Sequence, residues 1–277
     1  MHRAGAAPRT KYPRRRGGRD CRSGWGMRPW RGEGYNPDGN FGREMMTGTL
    51  GWLAVAAAAF VASHVVLSAA PLRAPLIARL GEKPFLGLYS VVSLVLFGWM
   101  IAAFAAAERV DLWVPPMGLR LLAAAIILVA FVFIVAGLTG PNPTAVGQER
   151  SIAAPPGGIL AVTRHPMMWG IVLWGIAHLL ASGDARGMIV FTAMIVLALA
   201  GMAHIEARKK AALGSAWETF AARTSLVPFA AIVSGRARFS LAEIGWGRLG
   251  LALAIYIGFL YGHRLMFGVA PIPWFSV

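Results

Sequence analysis

Five histidines stand in strongly apolar stretches of this chain: His64, His165, His178, His204 and His263. Imidazole is neutral near pH 7, which makes it the cheapest ionisable side chain to bury, and it is a common ligand for metals and for haem iron. One such residue alone is explained by hydrogen-bonded packing, but five in a body this poor in polar groups point to shared chemistry. Carboxylates are almost absent from the same stretches, which disfavours a proton- or sodium-coupled transporter. A zinc hydrolase would want a carboxylate or thiolate beside its histidines. The single cysteine, Cys21, lies near the N-terminus, so the body has no disulfide, thiolate ligand or iron–sulfur site. No HExxH, GxSxG or Walker pattern occurs. What remains is a site built from histidine only, and haem fits it best.

The elements that must position these side chains are membrane helices. Of 277 residues, 57% are hydrophobic and 14% charged, whereas a soluble domain carries about a quarter charged residues. Six segments, about 48–70, 85–107, 117–138, 159–182, 187–205 and 247–268, reach the ~20 apolar residues that a helix needs to cross a bilayer. Prolines fall between them, and the fourth has an alternative start at Pro166, because proline suits the first turn of a helix. The expected fold is all-α, a polytopic membrane protein with about six transmembrane helices in one bundle.

Charge gives the orientation. Let face A be the side of residue 46 and face B the opposite side. Of the basic residues beyond residue 45, twelve fall on face B and four on face A, so face B is expected to be cytoplasmic. In a bacterial inner membrane this places the polar segment 205–245 in the cytoplasm. That segment joins Arg208, Lys209, Lys210 and Arg223 to Leu213, Trp217 and Phe220, which predicts an amphipathic helix on the inner leaflet. Residues 1–45 hold 11 basic and four acidic side chains, about half of the chain's net +15. They are Gly/Pro/Arg-rich without apolar periodicity and are expected to be a disordered basic extension. They also contradict the charge asymmetry of the body, so the sequence suggests translation from upstream of a true start at Met45 or Met46. The body, 46–277, is expected to be one transmembrane domain. Its charge reports orientation in the lipid bilayer, and no nucleic-acid partner is expected.

The stretch Gly158-Ile-Leu-Ala-Val-Thr-Arg-His-Pro-Met-Met-Trp-Gly170, continuing through Leu173 to Ala177-His178, resembles the NnrU family of bacterial membrane proteins. Further matching pieces are Ser63-His64, Gly81-Glu82-Lys83, the Asn142-to-Gly147 connector and the Arg223-to-Ile232 run. The resemblance covers about residues 50 to 267, nearly all of the body. It implies a role in denitrification, in nitrite and nitric oxide metabolism, with denitrification reductases as partners. The family is similar to plant 15-cis-ζ-carotene isomerase, which implies a b-type haem with His64 and His178 as axial ligands. The isomerase is thought to exchange one histidine for a cysteine three residues before the second ligand; this chain has Gly175 there. Depth along the spans raises competing ligands. At 1.5 Å per residue, His64 lies about 7 Å past mid-span toward face B, and His178 lies about 6–11 Å past it toward face A. His165 and His204 match His64 better, while His178 matches His263.

Arg164-His165-Pro166-Met-Met-Trp-Gly170 also resembles the signature of isoprenylcysteine-type membrane methyltransferases. That resemblance implies S-adenosylmethionine as cofactor, with Arg164 and Glu206 contacting it. Trp217 and Phe220 stand where the signature has tyrosines. A third reading is a non-catalytic membrane assembly protein, in which the histidines only pack and Arg164-His165-Pro166 fixes a helix start.

Overall fold

The computed structural model describes residues 49–272; the basic extension 1–45 and Cys21 lie outside them. Twenty apolar residues form α1 (Thr49–Ser68), and a proline in its first turn starts α2 (Ala70–Leu80). After the turn at Gly81 comes α3 (Glu82–Ala106), then α4 (Met117–Thr139). A 3-10 turn at Glu149–Ala153 and a single helical turn, α5 (Ile159–Val162), lead to α6 (Pro166–Ser182). Then follow α7 (Ala185–Leu213), α8 (Ser215–Arg223), the short α9 (Ala230–Val233) and α10 (Leu241–Ile244), and finally α11 (Trp246–Phe267). No strand occurs among the described residues; one isolated bridge pairs Asp111 with Asp184. The fold is all-α.

Among the described residues, five helices are long and apolar enough to cross a membrane, and the remaining expected span is a shorter apolar helix. The fourth expected span is broken. Its α6 portion has 17 residues, about 25 Å of helix against a hydrocarbon core of about 30 Å. The alternative start at Pro166 is the one adopted. Proline there lacks only an amide that has no intrahelical partner anyway, and His165 precedes it in a non-helical conformation.

Two layers of packing show which helix ends lie together. Leu53 and Ala57 of α1 share a buried cluster with Met100, Ala107 and Val190, so the start of α1, the end of α3 and the start of α7 meet on face A. The loop after α3 is tied there too, since Leu112 and Trp113 donate to the Gly183 carbonyl and Ala185 donates to that of Val110. The Asp184 carboxylate caps α7 by accepting from the Gly187 amide at 3.0 Å, which fixes the tight α6–α7 hairpin. By contrast, α3 and α11 turn rows of large apolar side chains outward, among them Leu94, Val95, Leu253 and Phe259. Lipid is the solvent that suits such faces.

The polar segment 205–245 differs from the single amphipathic helix expected. Residues 205–213 continue the fifth span as the end of α7, and the remainder is divided among α8, α9 and α10. Trp217 and Phe220 are buried against Leu160 of α5, so the apolar side of α8 is taken up by the protein. The reason is the broken span, which exposes α5 as a packing partner. Apolar residues that this segment leaves exposed include Val227, Phe229, Val233, Phe239 and Leu241.

Helices α4 and α6 approach through small residues. A Cβ added at Gly170 would lie 2.9 Å from the Ala130 carbonyl oxygen, and one at Gly137 would lie 2.8 Å from the Met167 nitrogen. Such contacts let helix backbones pack closely in lipid, where van der Waals contact rather than the hydrophobic effect joins helices. Gly170→Ala should therefore lower the thermal midpoint in detergent, at a cost of about 1–3 kcal/mol. Gly87→Ala, which meets nothing within 4 Å, should leave the midpoint unchanged or raise it. Equal shifts for the two variants would contradict this packing.

Candidate functional site

The break between α5 and α6 is a buried polar knot. Thr163 and His165 are almost wholly buried, and the chain there has left the helix, so its backbone groups need other partners. The loop after α8 supplies them. The Arg164 amide donates to the Ser225 carbonyl at 2.9 Å and the Phe229 amide to the Val162 carbonyl at 2.8 Å. The Thr163 hydroxyl donates to the Leu226 carbonyl at 2.9 Å, and the Trp169 indole donates to the same carbonyl at 2.8 Å. Phe229 adopts a left-handed conformation, φ 67°, a strained choice for a bulky residue that its amide bond to Val162 holds in place. From the connector before α5, the Asn142 side chain accepts from the Thr144 amide and hydroxyl, and that hydroxyl also reaches the Arg164 carbonyl.

Charged groups complete the knot. The His165 Nε2–H donates to Glu206 Oε1 at 2.6 Å, and the Arg164 Nε lies 3.5 Å from the same oxygen. His165 Nδ1 is buried without a hydrogen-bond partner among the described residues. One turn further along α7, the buried Lys209 ammonium donates to Glu149 Oε1 at 2.7 Å and to the Ala145 carbonyl at 3.3 Å. The Glu149 carboxyl is held below its ordinary value chiefly by that lysine hydrogen bond. Arg164 and Glu206 thus come together as the methyltransferase resemblance required, but they face each other.

A cavity of about 270 Å³ opens beside the knot on face B, between α1, α2, α3, α6 and α7. His64 and His204 both line it, with Arg73 and Arg208 as its charged residues. Its walls are apolar: Phe85, Leu86, Met168, Ile171, Met194 and Leu197 are among them. His64 is held from behind, with Nδ1 2.8 Å from the Phe60 carbonyl and its ring edge-on to Phe60 and Tyr89. With Nδ1–H donating to that carbonyl, Nε2 keeps its lone pair.

His178 stands elsewhere. It lies four residues before the end of α6, as His64 lies four before the end of α1, and these two ends are on opposite faces. Its neighbours are Trp174, Phe191 and His263. The structure therefore places His64 with His204 and His178 with His263, while His165 is committed to Glu206. The depth argument from the sequence put both His165 and His204 with His64, and His178 with His263; the resemblance paired His64 with His178. In the sequence Arg73 counted only as a topology charge, and Arg208 as a topology charge and part of the amphipathic segment. The spacing His204 to Arg208 was the available signal, since residues four apart share one helix face.

A helical membrane protein with a broken fourth span and a buried histidine–glutamate–arginine knot is the class these observations define. The NnrU protein family model matches residues 52–271, and the chain belongs to that family. Over 79 residues it is 39% identical to the chloroplastic 15-cis-zeta-carotene isomerase of Zea mays and 37% identical to that of Arabidopsis thaliana. The matched stretch covers 28% of this chain and 22% of each isomerase. No solved structure matches.

The lowered Glu149 value carries a pH dependence. Its stabilisation is complete above the ordinary carboxylate range and is lost as the pH falls through the lowered folded value. Glu149→Gln should destabilise the protein at neutral pH by about 1 kcal/mol, a figure reduced because the carboxylate is partly exposed. The variant should also lose stability less steeply than the wild type on acidification below the ordinary range. Parallel acid unfolding curves would contradict the pairing.

Proposed function

We propose that this chain is an inner-membrane haem protein serving nitrite and nitric oxide metabolism, with face B cytoplasmic and a b-type haem held in the face-B cavity by His64 and His204. The single observation that carries the reading is that one cavity contains both imidazoles and both arginines.

The donor set fits the group. Two imidazoles suit iron, two guanidiniums suit the carboxylates of a porphyrin, and the remaining wall is apolar. The volume is at the low end for a small-molecule site, so the cofactor must part the flanking helices as it enters. Bound haem would supply one-electron chemistry. The chain's own residues do the rest. Phe60 and Tyr89 orient the His64 ring, Arg73 and Arg208 anchor anionic groups at the membrane surface, and the aliphatic wall keeps water from the site.

The isomerase relatives make carotenoid chemistry the natural rival. Gly175, where that mechanism uses a cysteine, is buried against Ile195, and a Cβ there would lie 2.7 Å from its side chain. A cysteine at that position would require Ile195 to shift, and this chain has glycine there, which favours haem binding without that ligand exchange. Denitrification reductases remain the expected partners.

Protein purified in detergent from haem-replete cells should show a Soret band. His64→Ala and His204→Ala should each abolish or strongly shift it, and His178→Ala should leave it in place. Absence of the band, or its loss in His178→Ala but not in His204→Ala, would overturn the proposal.

A further inference from the structure

Three arginines surround one pocket on face B, apart from the histidines. Arg223 closes α8, and Arg236 and Arg238 follow the turn after α9. Gly235 takes the left-handed conformation in that turn, φ 71°, and the chain folds back toward the end of α8. Arg236 then donates from Nη1 to the Ala222 and Thr224 carbonyls at 3.1 and 3.0 Å, and from Nε to the Ser234 hydroxyl at 2.8 Å. With Arg223, Arg238 and Glu243 it lines a pocket of about 290 Å³. The one carboxylate there is already engaged, since Glu243 Oε2 accepts from the Gly158 amide at 2.9 Å. None of the ion pairs among the described residues includes Arg223, Arg236 or Arg238. Guanidiniums gathered around one pocket in this way repel one another, and an anion between them relieves that repulsion.

We propose that Arg223, Arg236 and Arg238 bind the phosphodiester of an anionic phospholipid in the face-B leaflet. The planar guanidinium group matches phosphate oxygens, and Arg236 is pre-organised by its own backbone contacts. Position marks the phosphate as a lipid's. The pocket reaches Glu243 in α10, and α11 starts across the membrane at Trp246. Phe239 and Leu241 lie between Arg238 and Glu243 and are 45% and 47% exposed, and Trp246 is 70% exposed. Large apolar and indole side chains at the end of a span belong at the level of the headgroups. A free phosphate ion gains nothing from them. Three positive groups against one carboxylate favour an anionic lipid over a zwitterionic one, whose ammonium they would repel. Bound there, the phospholipid fastens the loop between α9 and α11 to the leaflet that α11 enters. The inference is independent of the haem reading, because it uses no residue of that cavity.

The test is native mass spectrometry of the full chain in an uncharged detergent, titrated with dioleoylphosphatidylglycerol and, separately, with dioleoylphosphatidylcholine. The wild type should hold the anionic lipid about tenfold more tightly than the zwitterionic one. Arg223→Gln and Arg238→Gln should each weaken phosphatidylglycerol binding by about fivefold, the loss of one arginine's attraction. Arg79→Gln, which removes an exposed charge outside the pocket, should bind as the wild type does. Arg223 and Arg238 are exposed, so their variants keep the fold, and an unchanged thermal midpoint without lipid checks this. Inorganic phosphate in large excess should leave the bound lipid in place. Equal binding of the two lipids, a loss in Arg79→Gln as large as in Arg238→Gln, or displacement of the lipid by inorganic phosphate would overturn the proposal.

Discussion

The hydrogen bond from His165 to Glu206 joins α6 to α7 at the point where α6 begins, and the face-B half of the molecule depends on it. A span that stops being helical inside a membrane protein leaves amides and carbonyls without partners. Such irregular backbone is tolerated at membrane depth only where protein surrounds it and satisfies it. Here the loop 224–229, the Asn142–Thr144 connector and the end of α7 all converge on residues 163–165. The cost of burying His165 beside the partly buried Glu206 carboxylate is offset by a charge-assisted hydrogen bond and an adjacent guanidinium. Because the break is closed in this way, α5 can turn aside and bury Trp217 and Phe220.

The same stretch of α7 serves two surfaces. His204, Ile205 and Arg208 line the cavity, while Glu206 and Lys209 enter the polar knot. Successive residues of a helix point in different directions, and those three or four apart share a side. The knot thus fixes the rotation of α7 and with it the direction in which His204 and Arg208 are presented. This links Arg164 and His165, neither of which lines the cavity, to the geometry of the site beside them. Face A uses no such device: its histidines are held by backbone carbonyls and aromatic rings.

Much of this was legible in the chain. Apolar runs of spanning length gave the order of the apolar helices, and Pro166 marked the start of α6, the helix too short to count as a full span. The motif singled out Arg164 and Glu206, though as contacts to a cofactor and not to each other. Depth along the spans already separated His64 from His178, because helical rise converts residue count directly into position. Other features were not legible. Whether Trp217 and Phe220 face lipid or protein depends on α5, which exists only because the span is broken. The roles of Arg73 and Arg208 depend on which helices flank α1, a matter of tertiary packing that periodicity does not encode. The partner of His165 lies 41 residues away, and no local spacing rule reaches that far.

The central claim, that the bond across the helix break organises this half of the protein, is tested most directly by a double-mutant cycle. Stabilities of the wild type, His165→Ala, Glu206→Gln and the double variant would be measured by unfolding in one detergent. The account predicts strong coupling, about 1–3 kcal/mol, because the charge-assisted bond to the buried His165 ring exists only when both partners are present. Additive effects, with coupling below about 0.3 kcal/mol, would contradict it.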